Sequence, residues 1–346
     1  MEHKRRAHYS GKYPRKFEEK YKELNPDKYA DTVAHVMEKG STPAGMHISI
    51  MVDEILDVLD IKPGEHGLDA TLGYGGHTRR MLEKLNGDGF VVGLDVDPIE
   101  SEKTVRRLRD AGFDEDCFKF RLTNFRNIDE VSKELGKFDF VLADLGVSSM
   151  QIDDPSRGFS YKIDGPLDLR MNPSAGVSAA ERLHEITQEE FEGMLVENSD
   201  EPYADEIATQ ITGSLHRGVV IDTTTALYKE IETALSKIKM SQAERKEALK
   251  KSGARVFQAL RIDVNSEFEV LYAFMEKLPK VLKPGGRVAV LTFHSGEDRI
   301  VKKAFKSYWK AGEYSDIAQE VIRPSREECY RNSRAHSTKL RWAIKA

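Results

Sequence analysis

Gly67-Leu-Asp69-Ala-Thr71-Leu-Gly73-Tyr-Gly75-Gly76-His77-Thr78 joins a short apolar run to three closely spaced glycines and then to a helical pattern over residues 77–85. Glycine lets a backbone turn tightly and approach a ligand, and a helix start carries N–H groups that have no partner inside the helix. The segment reads as strand, ligand loop and helix. Phe90-Val-Val-Gly-Leu-Asp95 follows as a second strand, so the unit is βαβ. Working outward, residues 118–122, 138–144 and 287–293 supply further strands, the last one after the breaker Pro284-Gly285-Gly286. Upstream, Ile50, Met51, Ile55, Leu56 and Leu59 have helical spacing that stops at Pro63-Gly64. Strands alternating with helices predict an α/β fold with a mostly parallel sheet covered on both faces.

Between Asp144 and Arg287 lie 142 residues, far more than a parallel crossover requires. The patterning there is helical, as in Phe191, Met194 and Leu195 or Leu227, Ile231 and Leu235, and predicts an inserted helical subdomain over residues 155–255. The end of the insert is basic, with Lys237, Lys239, Arg245, Lys246, Lys250, Lys251 and Arg255. Residues 46–154 and 256–346 then form the sheet domain, and residues 1–45 a polar, basic extension ended by Gly40-Ser-Thr-Pro43-Ala-Gly45.

With 346 residues, 39% apolar and 32% charged, the chain has globular composition and length for a substantial core, which excludes disorder for most of it. No apolar run reaches the roughly 18 residues of a membrane span, and the N-terminus lacks the apolar centre of a signal peptide, so a cytosolic protein is expected. Cys117 and Cys329 are too few and too far apart for a disulfide framework or a thiolate metal site, and no metal is expected. The net charge of -5 is unevenly spread: residues 323–346 carry +5, leaving -10 on the rest. Basic ends on an acidic body serve either phosphate backbones or solubility.

Asp95 ends its strand 22 residues after Gly73, where an acid accepts hydrogen bonds from the ribose hydroxyls of an adenosine group. A dinucleotide fingerprint would place glycine where Thr78 stands, so the loop favours a cofactor without a pyrophosphate, such as S-adenosylmethionine. Asp97 is a second, weaker candidate for the ribose contact, since Asp97-Pro98 also reads as an N-cap and first helical turn. Phe125 faces either an adenine ring or the core. Asp144 ends the fourth strand, and ligands of parallel sheets bind at the carboxyl ends, so Asp69, Asp95 and Asp144 are expected to converge on one crevice. A cofactor carrying a sulfonium and an ammonium would offset their mutual repulsion. Phe257-Gln-Ala-Leu-Arg261-Ile-Asp263-Val-Asn265 frames the same crevice. His294 follows as a proton carrier or substrate-orienting donor, and Ser295 either joins it or caps a helix beginning near Glu297. The loop holding Arg157, Phe159 and Tyr161, continued by residues 164–171, is either a lid that stacks on a base and holds phosphate or a buried turn with ion pairs.

Six blocks carry a resemblance: residues 69–77, 144–151, 157–160, 165–171, 257–265 and 293–299. Together, in colinear order over residues 47–341, they resemble the RsmH (MraW) family. The resemblance implies a class I methyltransferase sheet interrupted by a helical subdomain, residues 155–255, that serves recognition of the RNA substrate. It also implies S-adenosylmethionine as cofactor and N4 methylation of a decoding-region cytosine in 16S ribosomal RNA. The implied cofactor contacts fall on Gly75, Gly76, His77, Asp95, Phe125, Asp144 and Gln151. Asp144 is also the candidate catalytic group, and Arg157, Phe159, Arg261, Asn265, His294 and Ser295 are the expected substrate-side residues. Expected partners are 16S rRNA within the small ribosomal subunit and, for an oligomer, a second copy in a homodimer; a membrane is not among them. Departures at Met150, Asn172, Ser333 and His336 spare the cofactor positions.

Overall fold

The computed structural model describes residues 49–346; the basic extension expected over residues 1–45 lies outside them. The chain order is α1 (Val52–Leu59), β1 (His66–Asp69), α2 (Gly76–Leu85), β2 (Phe90–Asp95), α3 (Pro98–Asp110), β3 (Phe118–Leu122), α4 (Ile128–Leu135), β4 (Phe138–Asp144) and α5 (Ser149–Asp153). The insert contributes α6 (Ala179–Glu185), α7 (Gln188–Ser199), α8 (Ala204–His216), α9 (Thr224–Ser236) and α10 (Gln242–Asn265). The chain returns through α11 (Glu267–Val281), β5 (Leu282–Thr292), α12 (Ser295–Lys310), β6 (Tyr314–Ile317), α13 (Arg326–Arg331) and β7 (Lys339–Lys345).

Seven strands form one sheet in the order β3-β2-β1-β4-β5-β7-β6. The first five run parallel, while β7 is antiparallel to both neighbours, β5 and β6. Phe140, Val141, Leu142 and Ala143 of β4 are wholly buried, as befits a central strand covered on both faces. Two apolar clusters result. One packs α4, α11 and α12 on the sheet, around Phe138, Phe274 and Phe305. The other fills the insert, around Phe191, Ile207, Leu227 and Leu260.

Three expectations change. β5 begins at Leu282, so Pro284-Gly285-Gly286 lies inside the strand as an irregularity opposite Phe138 and Phe140, with Gly285 at φ 74. The boundary set at residue 255 falls within α10, a continuous helix of 24 residues whose Val256, Phe257 and Leu260 belong to the insert's own core. The basic C-terminal run is folded and ends in β7, an inner strand between β5 and β6, and most of its cations are paired internally. Lys339 and Arg341 meet Asp298 at 2.9 and 2.6 Å, Arg334 meets Asp153 at 2.8 Å, Lys345 meets Glu313 at 3.1 Å, and Arg331 meets Glu327.

Candidate active site

Parallel strands β1, β2 and β4 end side by side, which puts their terminal acids and the loops that follow on one edge. The glycine loop opens that edge. Gly75 sits at φ 78, and a Cβ there would come within 2.7 Å of the Thr104 side chain, so both backbone and packing require glycine. Thr104 Oγ1 donates to the Gly73 carbonyl at 2.7 Å, and the Arg107 guanidinium lies 3.6 Å from the centre of the Tyr74 ring, so α3 fixes the loop from behind. No side chain caps α2, so the N–H groups of its first turn from Gly76 onward have no capping side chain, while the Gly75 N–H donates to the Leu72 carbonyl at 2.8 Å.

Asp95 accepts from the Gly73 N–H and the Asp97 N–H, both at 2.9 Å. Burial pushes its carboxyl up to about 6, while those two N–H groups and the one of Val96 act in the opposite sense. Hydroxyl donors of a ribose favour the ionised form. Cofactor affinity is therefore expected to be full above this pH and to fall about tenfold between pH 7.5 and 5. Without cofactor, the folded chain binds more protons than the unfolded one between about pH 4 and 6, so this group's contribution to stability drops as pH rises through that window. Asp95→Ala should weaken affinity by roughly 10- to 150-fold, from about 1.5–3 kcal/mol for a charged hydrogen bond, and abolish the pH dependence. Calorimetry at the two pH values measures both, and an unchanged affinity removes Asp95 from the site.

Asp144 closes the edge. Its N–H donates to Thr71 Oγ1 at 2.7 Å, and its Oδ2 lies 3.4 Å from Nε2 of His77, a residue of the first turn of α2 that is 8% exposed. Asp144 Oδ1 and His77 Nε2 are buried and, among the described residues, have no hydrogen-bond partner. Glu328 of α13, which accepts from the Met51 N–H at 2.7 Å, stands within electrostatic reach of the same imidazole. Burial raises the Glu328 carboxyl.

Asp69 stands within electrostatic reach of Asp144 and His77, as the convergence at the strand ends anticipates, but it is closed off from the crevice. Asp69 is 1% exposed and turns beneath the loop, where Thr78 Oγ1 donates to it at 2.6 Å and the Thr71 N–H at 3.1 Å. Burial drives its carboxyl upward against those bonds. Thr78, read only as a departure from a glycine pattern, is the residue that holds it. Phe125 meets Phe274 edge-on at 5.2 Å and remains partly exposed, so it serves the core with one edge and is open on the other.

The loop after β4 follows its second reading, a buried turn with ion pairs. Arg157 is 7% exposed; it donates to Asp97 Oδ2 at 2.7 Å and to the carbonyls of Arg170 and Met171 at 3.1 and 2.7 Å. Gln151 donates to the same Asp97 oxygen at 2.9 Å and forms a capping box with Ser148, so its amide is spent inside the protein. Asp97 itself caps α3 through Oδ1, at 3.0 and 3.1 Å. Phe159 is 9% exposed and belongs to the insert's core. Asn265 donates to the Leu169 and Arg261 carbonyls and accepts from the Met171 N–H, fixing Leu169 in a left-handed conformation at φ 64. These residues build the wall of the crevice and do not offer free groups to a base.

A second cluster sits where β5 ends. Arg261 grips Glu267 in a fork at 2.8 and 2.9 Å, and His294 Nε2 lies 3.1 Å from Glu297, with its ring tilted on Phe268. Burial works to raise the Glu297 carboxyl, but His294, Arg261 and the Phe293 N–H together hold it below the usual carboxylate range. Glu267, His294 and Glu297 are close enough to hold a cation, yet the Arg261 guanidinium already supplies one to Glu267. Ser295 does not cap α12: the helix starts at Ser295, and its hydroxyl donates to Asp200 of the insert at 3.4 Å. Asp200, left-handed at φ 50, was not among the expected site residues, although it lies in Glu197-Asn-Ser-Asp-Glu201, a stretch that departs from the pattern of the family the sequence resembles.

A family model described as the MraW methylase family matches residues 44–346. The chain belongs to the MraW methylase family. The methylase is 66% identical, over its whole length and 98% of the relative's, to a protein of Agathobacter rectalis named ribosomal RNA small subunit methyltransferase H 1. It is 55% identical to a small subunit methyltransferase H 2 of Acholeplasma laidlawii, over 99% of this chain and 98% of that one. A small subunit methyltransferase H of Thioalkalivibrio sulfidiphilus is 36% identical over 87% of this chain and 98% of its own. The sheet and its insert make the methylase a class I α/β methyltransferase, and its cofactor is S-adenosylmethionine. The edge suits that cofactor: an acid for ribose hydroxyls, uncapped N–H groups for a carboxylate, and a buried acceptor, Asp144 Oδ1, with no partner of its own.

Proposed function

We propose that this methylase acts on the 16S ribosomal RNA of the small subunit and methylates the exocyclic N4 of a decoding-region cytosine. The observation that carries the reading is the buried, unpartnered Oδ1 of Asp144 at the cofactor edge, beside His77. The names of the relatives support ribosomal RNA as the substrate class.

A cytosine amine is a weak nucleophile because its lone pair is delocalised into the ring. When bound, S-adenosylmethionine would supply a methyl carbon made electrophilic by the adjoining sulfonium; as N4 bonds to that carbon, the carbon–sulfur bond breaks and its electron pair returns to sulfur, leaving a neutral thioether. Asp144 Oδ1, accepting from the amine, localises the lone pair and takes up the proton that N4 loses on methylation. Asp95 and the first turn of α2 orient the donor, and holding both reactants in place supplies much of the acceleration. Because a paired base cannot reach the edge of the sheet, the target is unpaired or flipped out.

Incubating the chain with small ribosomal subunits and labelled cofactor, then locating the label by mass spectrometry, tests this. One methyl on N4 of a decoding-region cytosine is the expected product. Label on another nucleotide, or none in ribosomal RNA, overturns it.

A further inference from the structure

We propose that the face of the insert around Tyr161, Tyr228, Lys246 and Lys250 is a docking surface for single-stranded RNA, which holds the strand beside the nucleotide presented to Asp144. The inference rests on the reading of the chain as an RNA methylase and assigns it a second contact outside the crevice.

The rings of Tyr161 and Tyr228 stack at 4.4 Å with 11° between their planes, and both are partly exposed. Their seat is built. The Tyr161 hydroxyl donates to the Lys250 carbonyl at 3.4 Å, and Phe257 meets the Tyr161 ring edge-on at 5.4 Å. Tyr228 lies so close to α10 that a Cβ on Gly253 would approach it to 2.7 Å. Lys246, Lys250 and Gly253 fall at helical spacing on one side of α10, and Lys162 adjoins Tyr161.

Lys162, Lys246 and Lys250 are exposed, and among the described residues no carboxylate pairs with them. Their neighbours differ: Lys251 pairs with Glu247, Lys237 donates to Gln210, and Arg245 donates to the Ile238 carbonyl. The acids nearby are Glu232, which faces Tyr228, and Asp164, held by Thr225. Unneutralised cations around an aromatic platform, on a chain whose net charge is -5, fit a polyanion that carries flat bases. The platform also lies near the crevice. Tyr161 is four residues from Arg157, whose guanidinium bonds Asp97 beside the cofactor edge, and four residues span at most about 14 Å.

The test uses the full chain and a labelled, unstructured RNA of about 12 nucleotides, with binding followed by fluorescence anisotropy from about 50 to 200 mM salt. Replacing Lys162, Lys246 and Lys250 together by alanine should lower affinity at least tenfold at the low-salt end and reduce the salt slope by about 2, at about 0.7 per lost phosphate contact. The triple arginine variant should bind as the parent does. A charge-matched control, Lys133→Ala with Lys137→Ala and Lys280→Ala, lies at the amino ends of the strands and should leave the slope unchanged. Equal behaviour of the patch and control variants overturns the proposal. Methyl transfer to small subunits, run in parallel, separates the two readings. If the parent transfers and the patch variant binds normally, only the docking surface falls. If the parent transfers nothing to ribosomal RNA, the proposed function falls, and the salt slope still decides the surface.

Discussion

Asp144→Asn is expected to lower turnover by about 10²- to 10⁴-fold while cofactor affinity changes less than about tenfold. Asparagine keeps the shape of the side chain and an oxygen acceptor, so it can still touch what Asp144 touches. On the proposed mechanism it cannot take up the proton that the target amine loses, and it presents no charge to the His77 imidazole 3.4 Å away. The buried position of Oδ1 strengthens the contrast, because a charge on an acceptor removed from water acts more strongly on whatever donor reaches it. Single-turnover rates with saturating cofactor, set beside calorimetric affinities, give the two losses separately. Equal losses would assign Asp144 to cofactor binding alone.

Arg157→Met is expected to destabilise the fold by about 3–5 kcal/mol, the usual result of removing one partner from a buried ion pair. Asp97 is 1% exposed and would keep a charge opposed only by the Gln151 amide and the N–H groups at the start of α3. The carbonyls of Arg170 and Met171 would lose their donor as well. Since Asp97 also supplies the N–H that Asp95 accepts, cofactor affinity should fall along with stability. Adding Asp97→Asn, which retains a capping side chain, should recover part of the stability. Urea unfolding of the single and double variants checks both statements. A single variant within about 1 kcal/mol of the parent would show that the pair does not hold the wall.

Much of the fold was legible because its signals are local. Short apolar runs ending in Asp69, Asp95 and Asp144 mark strands whether or not their neighbours are known, and the 142 residues before Arg287 announce an insert by length alone. The candidate site was legible in part for the same reason. Gly75, Asp95 and Asp144 lie at strand ends, and a parallel sheet has only one edge where strand ends collect ligands. What misled was the chemistry of single side chains. Arg157, Asn265 and Arg261 are residue types that bind phosphates and bases, yet each has met a carbonyl or a carboxylate of its own chain. Their partners lie between 4 and 96 residues away in sequence, and spacing does not say which partner each side chain takes.

The sequence by itself determined the strand order's raw material: where strands end, which turns need glycine, and that a helical piece interrupts the sheet. Those properties depend on periodicity and backbone freedom, which act within a few residues. Only the tertiary structure decided which charges remain unpaired. It buried Asp69 under Thr78, tied Arg157 to Asp97 and consumed most of the C-terminal cations, while among the described residues Asp144 Oδ1 has no donor and Lys246 and Lys250 no acid. A charge is satisfied or exposed according to what the fold carries to within about 4 Å of it, and composition says nothing about that distance.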